Sequence, residues 1–185
     1  NDSATASPKG NLSRTTQNHG GASSATGGYF FGGQPASSKV DRIDYSNDTA
    51  TAVAKGPLSS ARQFLAATSS RANAIPAIGT INYAAGTLGT PNTGYFGGGA
   101  SLSSIDRIDY SNDTATAVAK GPLSVARKTF AATGNADFGY FGGGNTGSTV
   151  STVDRVDYSN DTATAAVKGP LSAAMKYLAA TGNAD

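Results

Sequence analysis

The sequence predicts an all-β chain of repeated four-stranded antiparallel blades, on three observations. The stretch DRIDYSNDTATAVAKGPLS occurs letter for letter at 41–59 and at 106–124. Asn-Asp falls at 1, 47, 112 and 160, and Gly-Tyr-Phe at 28, 94 and 139. Between these marks, short β-prone segments alternate with Gly, Pro, Asn and Asp turn chemistry. The underlying unit of about 46 to 48 residues lies within the range of propeller blades.

Within the last complete copy the segments run in order. KTFAATG, 128–134, reads as the first strand, closed by the turn-prone Asn135-Ala136-Asp137. FGYFGGG, 138–144, reads as the second, and STVDRVDY, 151–158, as the third. A tight Ser159-Asn160-Asp161 turn leads into the fourth, TATAAVKG, 162–169, because Asn and Asp tolerate left-handed backbone and bond their own main chain. Helix is the competing reading for the alanine runs. Each is about six residues long, threaded with Thr and closed by Gly-Pro, too short to nucleate a helix alone.

On this phase 1–10 is the last strand of a preceding blade, 11–56, 57–121 and 122–169 are blades, and 170–185 is the first strand of a next one. Rings of this kind usually hold four to eight blades, so three are expected to form a section of a longer chain or an open arc completed by another chain.

Composition bounds the function. Fourteen basic and twelve acidic residues nearly cancel, and charged residues make up 14% of the chain, so no basic field exists for nucleic acid. Zero cysteines exclude disulfides, thiolate metal sites and thiol nucleophiles. No apolar run approaches the roughly 20 residues needed to span a bilayer.

The four-strand grammar resembles the kelch repeat of β-propellers. PLSSAR at 57–62 and PLSVAR at 122–127 resemble that family's Pro-to-Arg lead-in, and Gly32-Gly33, Gly97-Gly98 and Gly142-Gly143 its Gly-Gly pair. Val40 to Asp44, Ile105 to Asp109 and Val153 to Asp157 resemble its third-strand motif. Two departures matter. The family's tryptophan would fall at Ala50, Ala115 and Ala163, so blades must pack closer through small residues, and the lead-in Arg is replaced by Thr16 in the first copy and Met175 in the last. The wording GYFGGG with DRIDYSNDTATA is also similar to kelch-like repeat proteins of marine cyanobacterial viruses, which implies a virion or appendage protein.

Each candidate site has a plainer reading beside it. Asp41-Arg42, Asp106-Arg107 and Asp154-Arg155, with Asp44, Asp109 and Asp157 two residues after each Arg, fit ion pairs between or within blades better than catalysis, which needs an asymmetric constellation. Asp44-Ser46-Asp48 and its counterparts have the oxygen rhythm of a calcium loop but lack its Gly and distant Glu, so a hairpin turn is expected. His19 has no second His or nucleophile near it, and the glycine runs lack a P-loop pattern; they read as spacing for strands near the axis.

One segment is unlike the rest. The middle blade carries twenty extra residues within 69–93, bringing Ile75, Pro76, Ile78, Ile81, Tyr83 and Leu88. Long loops on rigid scaffolds commonly carry recognition, and apolar residues there suit a contact surface; a tolerated, self-packed insertion is the alternative.

These observations lead to a non-enzymatic segment of a phage tail, fibre or other virion appendage, or of an extracellular surface fibre, serving assembly or host attachment. Its expected partners are other virion or fibre chains, with no cofactor or metal. The alternative is a lectin-like propeller that binds cell-surface glycan through Tyr and Asn. A carbohydrate-active or oxidase-like kelch enzyme ranks last, since the resemblance implies Cys, Tyr and His around copper and this chain has no Cys and one His.

Overall fold

A computed structural model describes residues 6–69, 92–100 and 102–182. The fold is all-β, and three sheets account for it. The first contains β1 (Gly20–Ser23), β2 (Gly27–Phe31), β3 (Val40–Asp44) and β4 (Val53–Lys55). The second contains β5 (Ala66–Ser69), β6 (Thr93–Gly97), β7 (Ile105–Asp109) and β8 (Val118–Lys120). The third contains β9 (Ala131–Gly134), β10 (Phe138–Gly142), β11 (Val153–Asp157) and β12 (Ala166–Lys168). Each is an antiparallel meander in chain order, a blade. Among the described residues helical structure is confined to 3-10 turns at Tyr110–Asn112 and Tyr158–Asn160, so the alanine runs do not form helix.

The first strands β1, β5 and β9 lie against one another, and hydrophobic cores fill the spaces between blades. Tyr29, Phe31, Leu58, Phe96, Ile108 and Tyr110 form the core between the first and second blades. Tyr95, Ile105, Leu123, Phe130, Phe141 and Val156 form the next. Strand burial follows from this arrangement. β6, with a blade on either side, is buried on both faces, whereas β10 alternates, with Phe141 turned toward the second blade. Glycine at 97 leaves room for that ring, since a Cβ there would meet Phe141 at 3.0 Å.

Three sequence expectations need correction. The fourth strand of the last blade is Ala166–Lys168, not 162–169. The backbone around 161–165 is engaged elsewhere: Gly121 N–H donates to Asp161 O and Ala165 N–H to Pro122 O, so this segment holds the linker from the preceding blade. The tight hairpin turn is instead a 3-10 turn, held by Asp157 Oδ1 accepting from the backbone and hydroxyl of Ser159. The first strand starts at Ala131 rather than Lys128, because Thr129 is left-handed at φ 59°.

That left-handed position recurs at Asn18, Phe64 and Tyr177, and the four are linked in series. Phe64 N–H donates to Asn18 O, Thr129 N–H to Phe64 O and Tyr177 N–H to Thr129 O, at 2.9, 3.1 and 2.8 Å. The glycine pairs have a definite backbone role. Gly32-Gly33, Gly98-Gly99 and Gly143-Gly144 leave the second strand with positive φ and receive the next lead-in: Gly33, Gly99 and Gly144 N–H donate to Arg62, Arg127 and Met175 carbonyls.

Candidate functional site

The polar chemistry of the chain is concentrated at the junctions between blades, and two junctions are built alike. At the first, Asp113 of the second blade's turn reaches back to the first blade. It accepts from Tyr29 Oη at 2.8 Å and pairs with Lys55 Nζ at 3.1 Å and Arg42 Nε at 3.8 Å. At the second, Asp161 accepts from Tyr95 Oη at 2.9 Å and pairs with Arg107 at 2.7 Å and Lys120 at 3.1 Å. Sheet register places these groups together: Tyr29 pairs with Arg42, Tyr95 with Arg107, and the lysines end the adjoining strands.

The tyrosine of the same turn completes each junction. Tyr110 stacks on Tyr29 and Tyr158 on Tyr95, both with centroids 4.6 Å apart. Tyr110 Oη lies 2.9 Å from Ser69 Oγ, and Tyr158 Oη 3.4 Å from Thr68 Oγ1. The linker then locks onto the turn. Gly56 N–H donates to Asp113 O and Ala117 N–H to Pro57 O, as Gly121 and Ala165 do one blade on. A Cβ on Gly56 or Gly121 would overlap the carbonyl of Ala115 or Ala163, the positions where the kelch pattern carries tryptophan. Glycine at 56 and 121 allows this close approach of linker and turn. At the first junction Arg42, Lys55 and Gly56 come from one copy of the duplicated nineteen residues, and Tyr110, Asp113 and Ala117 from the other.

A second polar unit binds each lead-in to its own blade. Arg127 donates to Asp154 at 2.9 Å and to Phe141 O at 2.8 Å, and Ser124 donates to both Asp154 oxygens. Arg62, Ser59 and Asp106 repeat the arrangement, with both arginines and both aspartates fully buried. Burial lowers the Arg62 pKa, and Asp106 opposes that shift. In the first blade Thr16 does replace the arginine, but Arg14 reaches the equivalent carbonyls of Gly32 and Lys39 from two residues earlier. Asp41 is left with Ser13 alone at 2.6 Å, its Oδ2 unpaired among the described residues.

The other sequence candidates fall as follows. Arg42 and Asp44 do approach, at 3.6 Å, while Arg107 turns to the next blade's Asp161. Asp44, Asp109 and Asp157 each cap the following serine, and among the described residues no group of three potential ligands could hold a metal. His19 packs edge-on against Phe30 at 5.7 Å. Ile75, Pro76, Ile78, Ile81, Tyr83 and Leu88 lie outside the described residues; the segment that holds them joins Ser69 of β5 to β6. Sequence reasoning missed Asp113, Asp161, Tyr95 and Tyr158 as a unit. Their recurrence was visible, but their partners are 41 to 90 residues away, 161 − 120 = 41 for Lys120–Asp161 and 90 for Thr68–Tyr158.

Two measurable consequences arise here. Tyr95→Phe removes a hydroxyl bonded to a carboxylate in a buried junction and should cost about 1.5–3 kcal/mol in urea denaturation. Tyr140→Phe, in the third blade, should cost less than about 0.5 kcal/mol, the range of surface substitutions. The pH response should be lopsided. Burial, then the Asp161 carboxylate, pushes Tyr95 up to about 12, and burial first also raises Tyr29, Tyr110 and Tyr158. A raised folded pKa gives stability that is complete below about 10, the unfolded value, and is lost as pH rises through the folded one. Urea midpoints should therefore fall steadily above pH 10 as tyrosinate absorbance grows. On the acid side, serine hydroxyls and then amides hold Asp44, Asp109 and Asp157 below the ordinary 3.8, so their contribution is lost only as pH falls below that value.

No helix among the described residues is long and apolar enough to cross a membrane. Set against protein-family models the chain matches none, and no curated protein matches it.

Proposed function

We propose that this chain is a non-enzymatic scaffold segment of a phage virion appendage, tail or fibre, or of an extracellular surface fibre, working in assembly or host-surface attachment. The observation that supports it is the repeated junction. At both junctions the recurring tyrosine, lysine and aspartate join one blade to the next with the same partners, which is how a repeat scaffold uses its polar residues. The resemblance to kelch-like proteins of cyanobacterial viruses gives the setting. The segment between Ser69 and Thr93, with its isoleucines and Tyr83, is the contact loop in this reading.

The test is a reconstruction of the virion or filament with the chain traced. The reading expects the blades within an appendage, touching other chains. Finding the protein as an isolated soluble monomer, absent from any particle, would contradict it.

A glycan-binding reading draws on one feature, a cleft of about 390 Å³ lined by Thr133, Asn135 and the ring of Tyr140. Aromatic faces with amide and hydroxyl side chains suit sugars. A glycan array without saturable binding removes this reading.

A further inference from the structure

The face of the third blade that points away from the second carries the same groups as the two closed junctions. Tyr140 pairs with Arg155 in the sheet register, as Tyr29 does with Arg42 and Tyr95 with Arg107, and Lys168 ends the fourth strand as Lys55 and Lys120 do. Their surroundings differ. Tyr29 and Tyr95 are 1% exposed, whereas Tyr140 is half-buried, Lys168 is exposed, and the Arg155 guanidinium lies 4.2 Å over the Phe138 ring.

The cleft beside Tyr140 has a definite shape. It is lined by Thr133, Gly134, Asn135, Tyr140, Thr181 and Gly182. One blade back, the corresponding place is filled by Tyr158, which stacks on Tyr95, approaches Thr68 Oγ1 and lies against Gly134. Thr133 is the counterpart of Thr68, and Gly182 of Gly134. Thr133 Oγ1 is buried and has no hydrogen-bond partner among the described residues. Glycine contacts give the same result: Gly10, Gly56 and Gly121 are each pressed on an alanine carbonyl of the following turn, while a Cβ on Gly169 meets nothing within 4 Å.

We propose that this face is a docking site for strands two to four of a further blade of the same repeat. The incoming turn places its tyrosine in the cleft on Tyr140 and Thr133, and its aspartate among Tyr140, Arg155 and Lys168. The charges are complementary, two cations and a phenol around one carboxylate, as in the two closed junctions. This chain supplies the first strand itself. Tyr177 N–H already donates to Thr129 O, Met175 O accepts from Gly144 N–H, and Gly182 lies against Thr133 and Gly134, so the segment 176–182 runs beside β9 as β5 does beside β1 and β9 beside β5. The inference deepens the scaffold reading and rests on it, yet it concerns a property of the chain in solution, so its failure is separable from that of the virion reconstruction.

The test extends the full chain. Residues 181–185, TGNAD, repeat 133–137, so a second copy of Phe138–Lys168 appended directly after Asp185 continues in register. Hydrogen exchange followed by mass spectrometry on the extended chain should show the appended strands protected at least about 100-fold over an unstructured peptide. Nitration of Tyr140 should slow by a similar factor. Asp161→Ala in the appended copy, or Arg155→Ala in the parent chain, should each reduce that protection about tenfold, a lost charge-assisted hydrogen bond. The parent with Arg155→Ala but no extension should keep its own stability, which separates docking from folding. An appended segment that exchanges freely, or protection indifferent to both substitutions, would overturn the proposal. So would saturable glycan binding at Tyr140 in the unextended chain.

Discussion

Arg127→Met is expected to cost about 3–5 kcal/mol of unfolding free energy, the largest effect of any single substitution considered, because it leaves a buried carboxylate without its cation. Arg127 and Asp154 are both fully buried, and the arginine also bonds the Phe141 carbonyl and lies 5.4 Å over the Phe130 ring. Methionine is an unbranched, adaptable side chain close in length to the arginine stem, and the chain carries one, exposed, as Met175 at the equivalent position of the last lead-in. The loss is therefore electrostatic. Asp154→Asn added to Arg127→Met should recover part of it, a coupling readable in a double-mutant cycle. Asp41→Asn provides the contrast. Asp41 is just as buried but holds only the Ser13 hydroxyl, so removing its charge should change stability by less than about 1 kcal/mol. Equal losses at Asp41 and Asp154 in urea denaturation would mean that the arginine does not define the unit.

Gly121→Ala should also be strongly damaging, at about 1–3 kcal/mol, the usual cost of forcing an extra carbon into a filled space. The added methyl would overlap the Ala163 carbonyl and separate the linker from the turn, straining the bond from Gly121 N–H to Asp161 O. Gly169→Ala is the matched control. It occupies the same place in the repeat but nothing lies within 4 Å, so alanine should be neutral or stabilising by about 0.4–1 kcal/mol through the unfolded chain. Comparable denaturation curves for the two variants would contradict the account of the linker glycine as a junction residue.

Much of the fold was legible because the repeat marks it. Gly-Tyr-Phe, Asp-Arg-Ile-Asp and Val-Ala-Lys fell on second, third and fourth strands. What misled was local reasoning about the Asn-Asp-Thr-Ala-Thr-Ala stretch. Its alternation reads as strand, yet its backbone hydrogen bonds go to the linker from the blade before it, a partner that local periodicity does not reveal. The same holds for the site. Asp113 and Asp161 looked like turn residues, and they are, but each also neutralises two cations on the neighbouring sheet. Arg14 shows the converse: an apparent loss of the lead-in arginine is offset by another arginine two positions away. The isoleucine-bearing segment within 69–93 lies largely outside the described residues, so the junctions carry the structural case.

If the duplicated nineteen residues encode a junction, the blades should unfold as one cooperative unit. The most direct measurement is native-state hydrogen exchange of the Gly56, Gly121, Ala117 and Ala165 amides, which donate across the junctions at 2.8 Å each. The account predicts opening free energies equal to those of the central-strand amides of β6 and β10, at the global unfolding value. Junction amides that open several kcal/mol below those strands would show blades that fold separately and merely touch, and would contradict it.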